Sequence, residues 1–138
     1  MAALMDSSAG NMPAPDSRPL DKKNEGRKTM DLLLWRHAEA VDGIPDNTRE
    51  LTERGLRQAH KVAEWLDSRR PKKLRVLVSP TTRTRQTASA FTQSFEVVPA
   101  LAPGNDIADI LGACGWPDGG GAVLIVGHQP ELGRLASL

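Results

Sequence analysis
The sequence predicts a three-layer α/β/α domain with helices on both faces of a central, mainly parallel sheet. Two observations predict it. Three short apolar runs, "LLLW" (32–35), "RVLVS" (75–79) and "AVLIVG" (122–127), are bounded by polar or turn residues, as strands buried on both faces are. Between and after them lie segments whose apolar residues recur at helical spacing. Strands that alternate with helices pair in parallel through helical crossovers.

The elements follow in order. Residues 1–29 are rich in Ser, Pro, Asp, Lys, Asn and Gly and carry no apolar period. Such a segment buries too little surface to offset the entropy of ordering, so a disordered tail is expected. The domain proper is expected over 30–138. The first strand, "LLLW", runs straight into Arg36 and His37. In "LTERGLRQAHKVAEWLDSRRP", Leu56, Ala59, Ala63 and Leu66 share one helical face. Thr52 suits the N-cap, Glu53 the positive helix end, and Arg69, Arg70 and Pro71 the stop. Gly55 in the first turn weakens this helix slightly.

The second strand, "RVLVS", leads into "TTRTRQTASAFTQSF", a helix through Thr84, Ala88, Phe91 and Phe95. "FEVVP" fits a further short strand, and "NDIADILGA" a short helix capped by Asn105. "AVLIVG" is the third buried strand, and "QPELGRLASL" opens a last helix with Pro130 in its first turn. The chain stops some eight residues into that helix, so a domain incomplete at its C-terminus is expected.

Composition narrows the function classes. The chain has 138 residues, 39% hydrophobic and 25% charged, with a net charge of +1. One domain is the expectation at this length, and the charge balance argues against a general nucleic-acid binder. A single cysteine, Cys114, cannot form an internal disulfide and fits a reducing compartment. No run approaches the roughly 20 apolar residues of a membrane-spanning helix, and "MAALMDSSAGNM" lacks the form of a signal peptide. A cytoplasmic protein with no membrane partner is expected.

Each apolar strand ends in residues suited to anions. Arg36 and His37 follow the first, Ser79, Pro80 and then Arg83 the second, and His128 the third. In open parallel sheets, sites form beyond the carboxyl ends of strands, where loops enter helix N-termini. Two arginines and two histidines delivered there suit a dianion, most simply a phosphoryl group. Guanidiniums neutralise its oxygens, and a neutral imidazole attacks phosphorus to give a phosphohistidine. Flanking arginines keep that imidazole neutral. A carboxyl group would protonate the leaving group and later activate water. This chemistry needs no metal or cofactor, and the three histidines lack zinc-ligand spacing.

These residues carry a resemblance. "LWRHAEA" resembles the RHG motif of the histidine phosphatase (phosphoglycerate mutase-like) superfamily. The ordered set "RHAEA", "DNTRELTERG", "VLVSPTTRTRQTA" and "VGHQPELG" is similar to the SixA-type phosphohistidine phosphatases, over roughly residues 31–138. The resemblance implies His37 as the phosphorylated nucleophile, with Arg36, Arg83 and His128 binding the phosphoryl group and Arg49 near the pocket. It also implies a phosphohistidine-bearing protein, such as a phosphorelay histidine domain, as substrate. A small phosphorylated metabolite, or phosphate binding without turnover, are the alternatives. Ala38 stands where the family usually has glycine, and the family continues for several tens of residues past the second histidine.

The acid has several candidates. Much of the superfamily places a carboxyl group beyond the third strand, where this chain offers Asp106 and Asp109. The SixA group carries an aspartate at the position of Asp46, which we favour. Glu39, two residues after the nucleophile, is a third candidate. Arg54, Arg57 and Arg85 read as solvated charges, His60 as structural or exposed, and Cys114 as a bystander thiol. "GGGA" precedes its strand, so it reads as a turn and not as a phosphate loop.

Overall fold
The computed structural model describes residues 2–6, 30–117 and 119–138. Its strands are β1 (Ala2–Asp6), β2 (Met30–Arg36), β3 (Leu74–Val78), β4 (Glu96–Val97) and β5 (Gly121–Gly127). They form one sheet in the order β1-β2-β5-β3-β4. β2, β5, β3 and β4 run parallel, and β1 lies antiparallel on the outer edge of β2. The helices are α1 (Glu53–Ser68), α2 (Thr82–Ser89), α3 (Ile107–Cys114) and α4 (Glu131–Ala136).

The most apolar run takes the centre. β5 is buried along every residue after Gly121, because both its edges are paired and both its faces are covered. Alternate residues divide the core in two. Leu32, Leu34, Leu77, Val123 and Ile125 pack against Ile110 and Cys114 of α3 and Leu132 and Leu135 of α4. Trp35, Val76, Val78, Leu124 and Val126 face the opposite way, against Ala59, Ala63 and Leu66 of α1 and Ala88 of α2. Each such fully buried Leu, Ile or Val contributes about 1.5–3 kcal/mol. The expected three layers are present.

The register positions the site. Arg36 pairs with Gly127 and Val78 with Val126, so the three long parallel strands end level. The residues that follow them emerge side by side.

Several elements differ from the sequence reading. Residues 2–6 form β1, although a disordered tail was the expectation there, because β2 offers unpaired backbone groups along its outer edge. The rest of that tail lies outside the described residues. In α1, Thr52 Oγ1 accepts from Gly55 N at 2.9 Å as the cap requires. Leu56, however, is 42% exposed, and Gly55 takes the inward position instead. α2 stops at Ser89 and does not run on to Phe95. Thr87 and Ser89 turn their hydroxyls back onto the carbonyls of Arg83 and Arg85, which weakens a helix. Phe91 and Phe95 reach the core from the loop beyond. The cap of α3 is Asp106, which accepts from Ala108 N at 3.3 Å. The Asn105 amide donates instead to Pro99 O. Pro130 sits at the N-cap of α4, one residue before its first turn.

Candidate active site
The backbone N–H of His37 donates to Gly127 O at 3.1 Å. The β2–β5 ladder therefore continues one residue beyond β2 and fixes the nucleophile candidate against β5. The His37 ring is oriented by its own loop. Nδ1 lies 2.8 Å from Ala38 O, and a carbonyl only accepts, so Nδ1 carries the proton. The Nε2 lone pair is left for attack.

Ala38 N donates to Thr87 Oγ1 at 3.1 Å, and Thr87 Oγ1 donates to Arg83 O at 2.7 Å. Thr87 thus ties the nucleophile loop to the helical turn that carries Arg83. The sequence reading assigned Thr87 no role. Its signal is the i, i+4 spacing from Arg83, which places both on one helix face.

His128 follows β5 and is buried. Its Nε2 lies 2.7 Å from Ser79 Oγ and 3.5 Å from Thr81 Oγ1. The His37 and His128 ring centroids are 5.3 Å apart, tilted by 57°. Arg83 is only 4% exposed. Its Nη1 donates to Asp46 O at 2.8 Å and its Nη2 to Asp46 Oδ2 at 3.0 Å, while its Nε is buried without a partner. Arg49 Nε donates to Asp46 Oδ1 at 3.0 Å. Asp46 therefore bridges the two arginines. Arg85, by contrast, is exposed.

Arg36, His37, Arg49, Arg83 and His128 all line one cleft of about 910 Å³. Asp46 does not itself line the cleft and joins this group only through Arg49 and Arg83. Asp106 and Asp109 do not line the cleft; they occupy the cap and first turn of α3. Glu39 lies in the cleft wall but is engaged with α1. Thr52 Oγ1 donates to Glu39 Oε1 at 3.1 Å, Thr52 N to Glu39 O at 3.0 Å, and Glu39 N to Gln58 Oε1 at 3.2 Å. Glu39 thus docks the nucleophile loop onto the helix N-terminus. Gly55 permits this approach, because a Cβ there would collide with the Glu39 carbonyl.

Electrostatics follow from burial and the arginines. Burial pushes the His37 pKa below its ordinary value, and Arg83, Arg36 and Arg49 push the same way against the Ala38 hydrogen bond. Burial, Arg83 and His37 bring His128 down to about 4. Both imidazoles are neutral at pH 7. The Asp46 carboxyl is held below the usual range, first by the Arg83 hydrogen bond. Burial raises the Cys114 thiol to about 11, leaving it unreactive.

This geometry has known counterparts. The model of the histidine phosphatase superfamily (branch 1) matches residues 32–104. The chain belongs to the histidine phosphatase superfamily. The phosphohistidine phosphatase SixA of Escherichia coli K12 is 32% identical over 118 residues, which are 78% of this chain and 73% of that protein. Among solved structures, the protein histidine phosphatase SixA complexed with tungstate is 30% identical with a TM-score of 0.68. That match covers 77% of this chain and 74% of the other. A SixA protein from Nakamurella multipartitia is 33% identical with a TM-score of 0.66, over 75% of this chain. The present chain spans only 61% of the Nakamurella protein. Among the described residues, no helix is long and apolar enough to cross a membrane.

Proposed function
We propose that this chain is a metal-independent phosphatase that takes the phosphoryl group of a protein phosphohistidine onto His37 and passes it to water. One observation carries the reading. A neutral imidazole with its Nε2 lone pair free shares a cleft with a buried guanidinium whose Nε has no partner. Arg36 and Arg49 line the same cleft, and guanidiniums gathered around a neutral imidazole suit a phosphoryl dianion.

In the first step, His37 Nε2 attacks phosphorus and the N–P bond of the substrate breaks, its electron pair returning to the substrate ring. When that ring holds a proton on its other nitrogen, it departs as neutral imidazole and needs no acid. Arg36, Arg83 and His128 hold the phosphoryl oxygens, and the two guanidiniums offset their charge as transfer proceeds. The Ala38 carbonyl accepts the hydrogen bond from Nδ1–H throughout and stabilises the cationic phosphoimidazole. In the second step, water attacks phosphorus, and His37 leaves by the same chemistry as the neutral Nδ1–H tautomer. Asp46, anionic beside its arginines, takes the proton that water loses.

The state of Asp46 favours phosphohistidine over a phosphomonoester. An alkoxide leaving group needs a proton from the enzyme, whereas Asp46 is ion-paired and holds none at neutral pH. The similarity to SixA proteins supports the same choice. The test is side-by-side turnover of a phosphohistidine-bearing protein and of sugar phosphates. The phosphohistidine protein should be hydrolysed far faster. Turnover of the sugar phosphates alone would refute the substrate, and turnover of neither would refute the activity.

A further inference from the structure
One strip of α1 runs from the cleft out along the exposed face of the helix. At 100° per residue, Arg54, Gln58, Lys61, Trp65 and Arg69 fall within about 80° of one another. The strip carries three cations, and the carboxylates of α1, Glu53, Glu64 and Asp67, fall outside it. Its near part reaches the site, since Gln58 and Lys61 line the cleft. Trp65 lies about one turn further along and Arg69 about two, roughly 6 and 12 Å beyond Lys61. A small molecule seated at His37 would touch neither.

Trp65 is 46% exposed, whereas Trp35 is 1% exposed in the core. The Arg69 guanidinium lies 4.6 Å from the Trp65 ring centroid, an arrangement that holds a flat aromatic and a charge ready at the surface. Trp and Arg are the residues that most often dominate protein interfaces. Arg54 lies 3.9 Å from Glu39, and the other two cations of the strip, Lys61 and Arg69, are exposed.

We infer that this strip docks the protein that carries the phosphohistidine, through an acidic surface with an apolar side chain beside its phosphorylated residue. The inference rests on the phosphohistidine reading and specifies it. Continuity with the cleft supplies the geometry: a phosphohistidine inserted to reach His37 brings the surrounding protein surface down onto α1. Charge supplies the rest, because a strip whose charged residues are all cations attracts an acidic face and repels a basic one.

The experiment compares Trp65→Ala and Arg69→Glu with the parent on two substrates, a phosphohistidine-bearing protein and free phosphohistidine. Each variant should lose about tenfold or more in kcat/KM on the protein, mostly through KM. Each should match the parent on the free amino acid, which also shows that the variants fold. The parent's kcat/KM on the protein should fall more steeply with salt than that of Arg69→Glu. Variants equal to the parent on both substrates would overturn the docking role and leave the phosphatase reading standing. Variants that lose equally on both would make the strip structural, covered by another segment or a second copy, and would also overturn it. A parent inert on both substrates would overturn the underlying reading as well.

Discussion
Replacing Gly55 by alanine sets two effects of known sign against each other. In an exposed helix interior, Gly→Ala stabilises by about 1 kcal/mol. Here the added Cβ meets the Glu39 carbonyl oxygen closer than any side chain tolerates, with Glu39 C at 3.0 Å and Glu39 N at 3.2 Å. The obstacle is backbone, and that backbone is fixed by Thr52 N and Gln58 Oε1. It yields only if the segment two residues from His37 moves. Overpacking of this kind costs about 1–3 kcal/mol and more where backbone is displaced, so the clash exceeds the gain in propensity. Net of that gain, Gly55→Ala should lower the free energy of urea unfolding by about 1–2 kcal/mol and cut kcat/KM by more than tenfold. Gly112, where a methyl group added at Cα would meet nothing within 4 Å, should tolerate alanine with unchanged or higher stability. A Gly55→Ala protein as stable and active as the parent would refute the argument that the helix and the nucleophile loop are in forced contact.

Other predictions follow from the cleft. Arg83→Met should lower kcat by about 10²–10³, as loss of a preorganised charged donor does, measured by steady-state kinetics on phosphohistidine. Asp46→Asn should slow turnover more than Asp106→Asn, and the reverse order would move the assignment to the α3 cap. The His128 imidazole falls from 6.5 to about 4 on folding, and the side chain is only 5% exposed. The unfolded chain therefore binds the proton first, and stability present above pH 6.5 is lost as pH falls towards 4, by about 3 kcal/mol. His128→Gln should lack that share of the loss in urea titrations taken across the same window. Because the His37 pKa is lowered too, kcat/KM should decline at a lower pH than an ordinary imidazole would give.

Much of this architecture was legible because period and burial agree. β5 reads as "AVLIVG" and lies at the sheet centre, and Thr52 caps α1 as its position suggested. Arg36, His37, Arg83 and His128 could be placed together because parallel strands of equal reach end at one edge. What escaped has local causes. Thr and Ser hydroxyls shortened α2 by bonding their own backbone, an effect that apolar spacing does not register. Leu56 and Gly55 exchanged places because the Glu39 contact turns the glycine inward, and that contact is long-range. The bridge from Asp46 to Arg83 joins residues 37 positions apart. Spacing could propose Asp46 as a carboxyl group near the phosphate, but only the fold gives it two arginines and hence a fixed negative charge. Glu39 resolves in the same way. It adjoins the nucleophile in sequence, yet its hydrogen bonds go to α1.

The central claim is that His37 carries the phosphoryl group. Rapid acid-free quenching with ³²P-labelled phosphohistidine protein, followed by peptide mapping, tests it most directly. A transient, acid-labile, base-stable label is predicted on the peptide containing His37, absent from His37→Ala and retained in His60→Ala. A parent enzyme that releases phosphate with no label on His37, or a His37→Ala protein that still turns over at the parental rate, would contradict it.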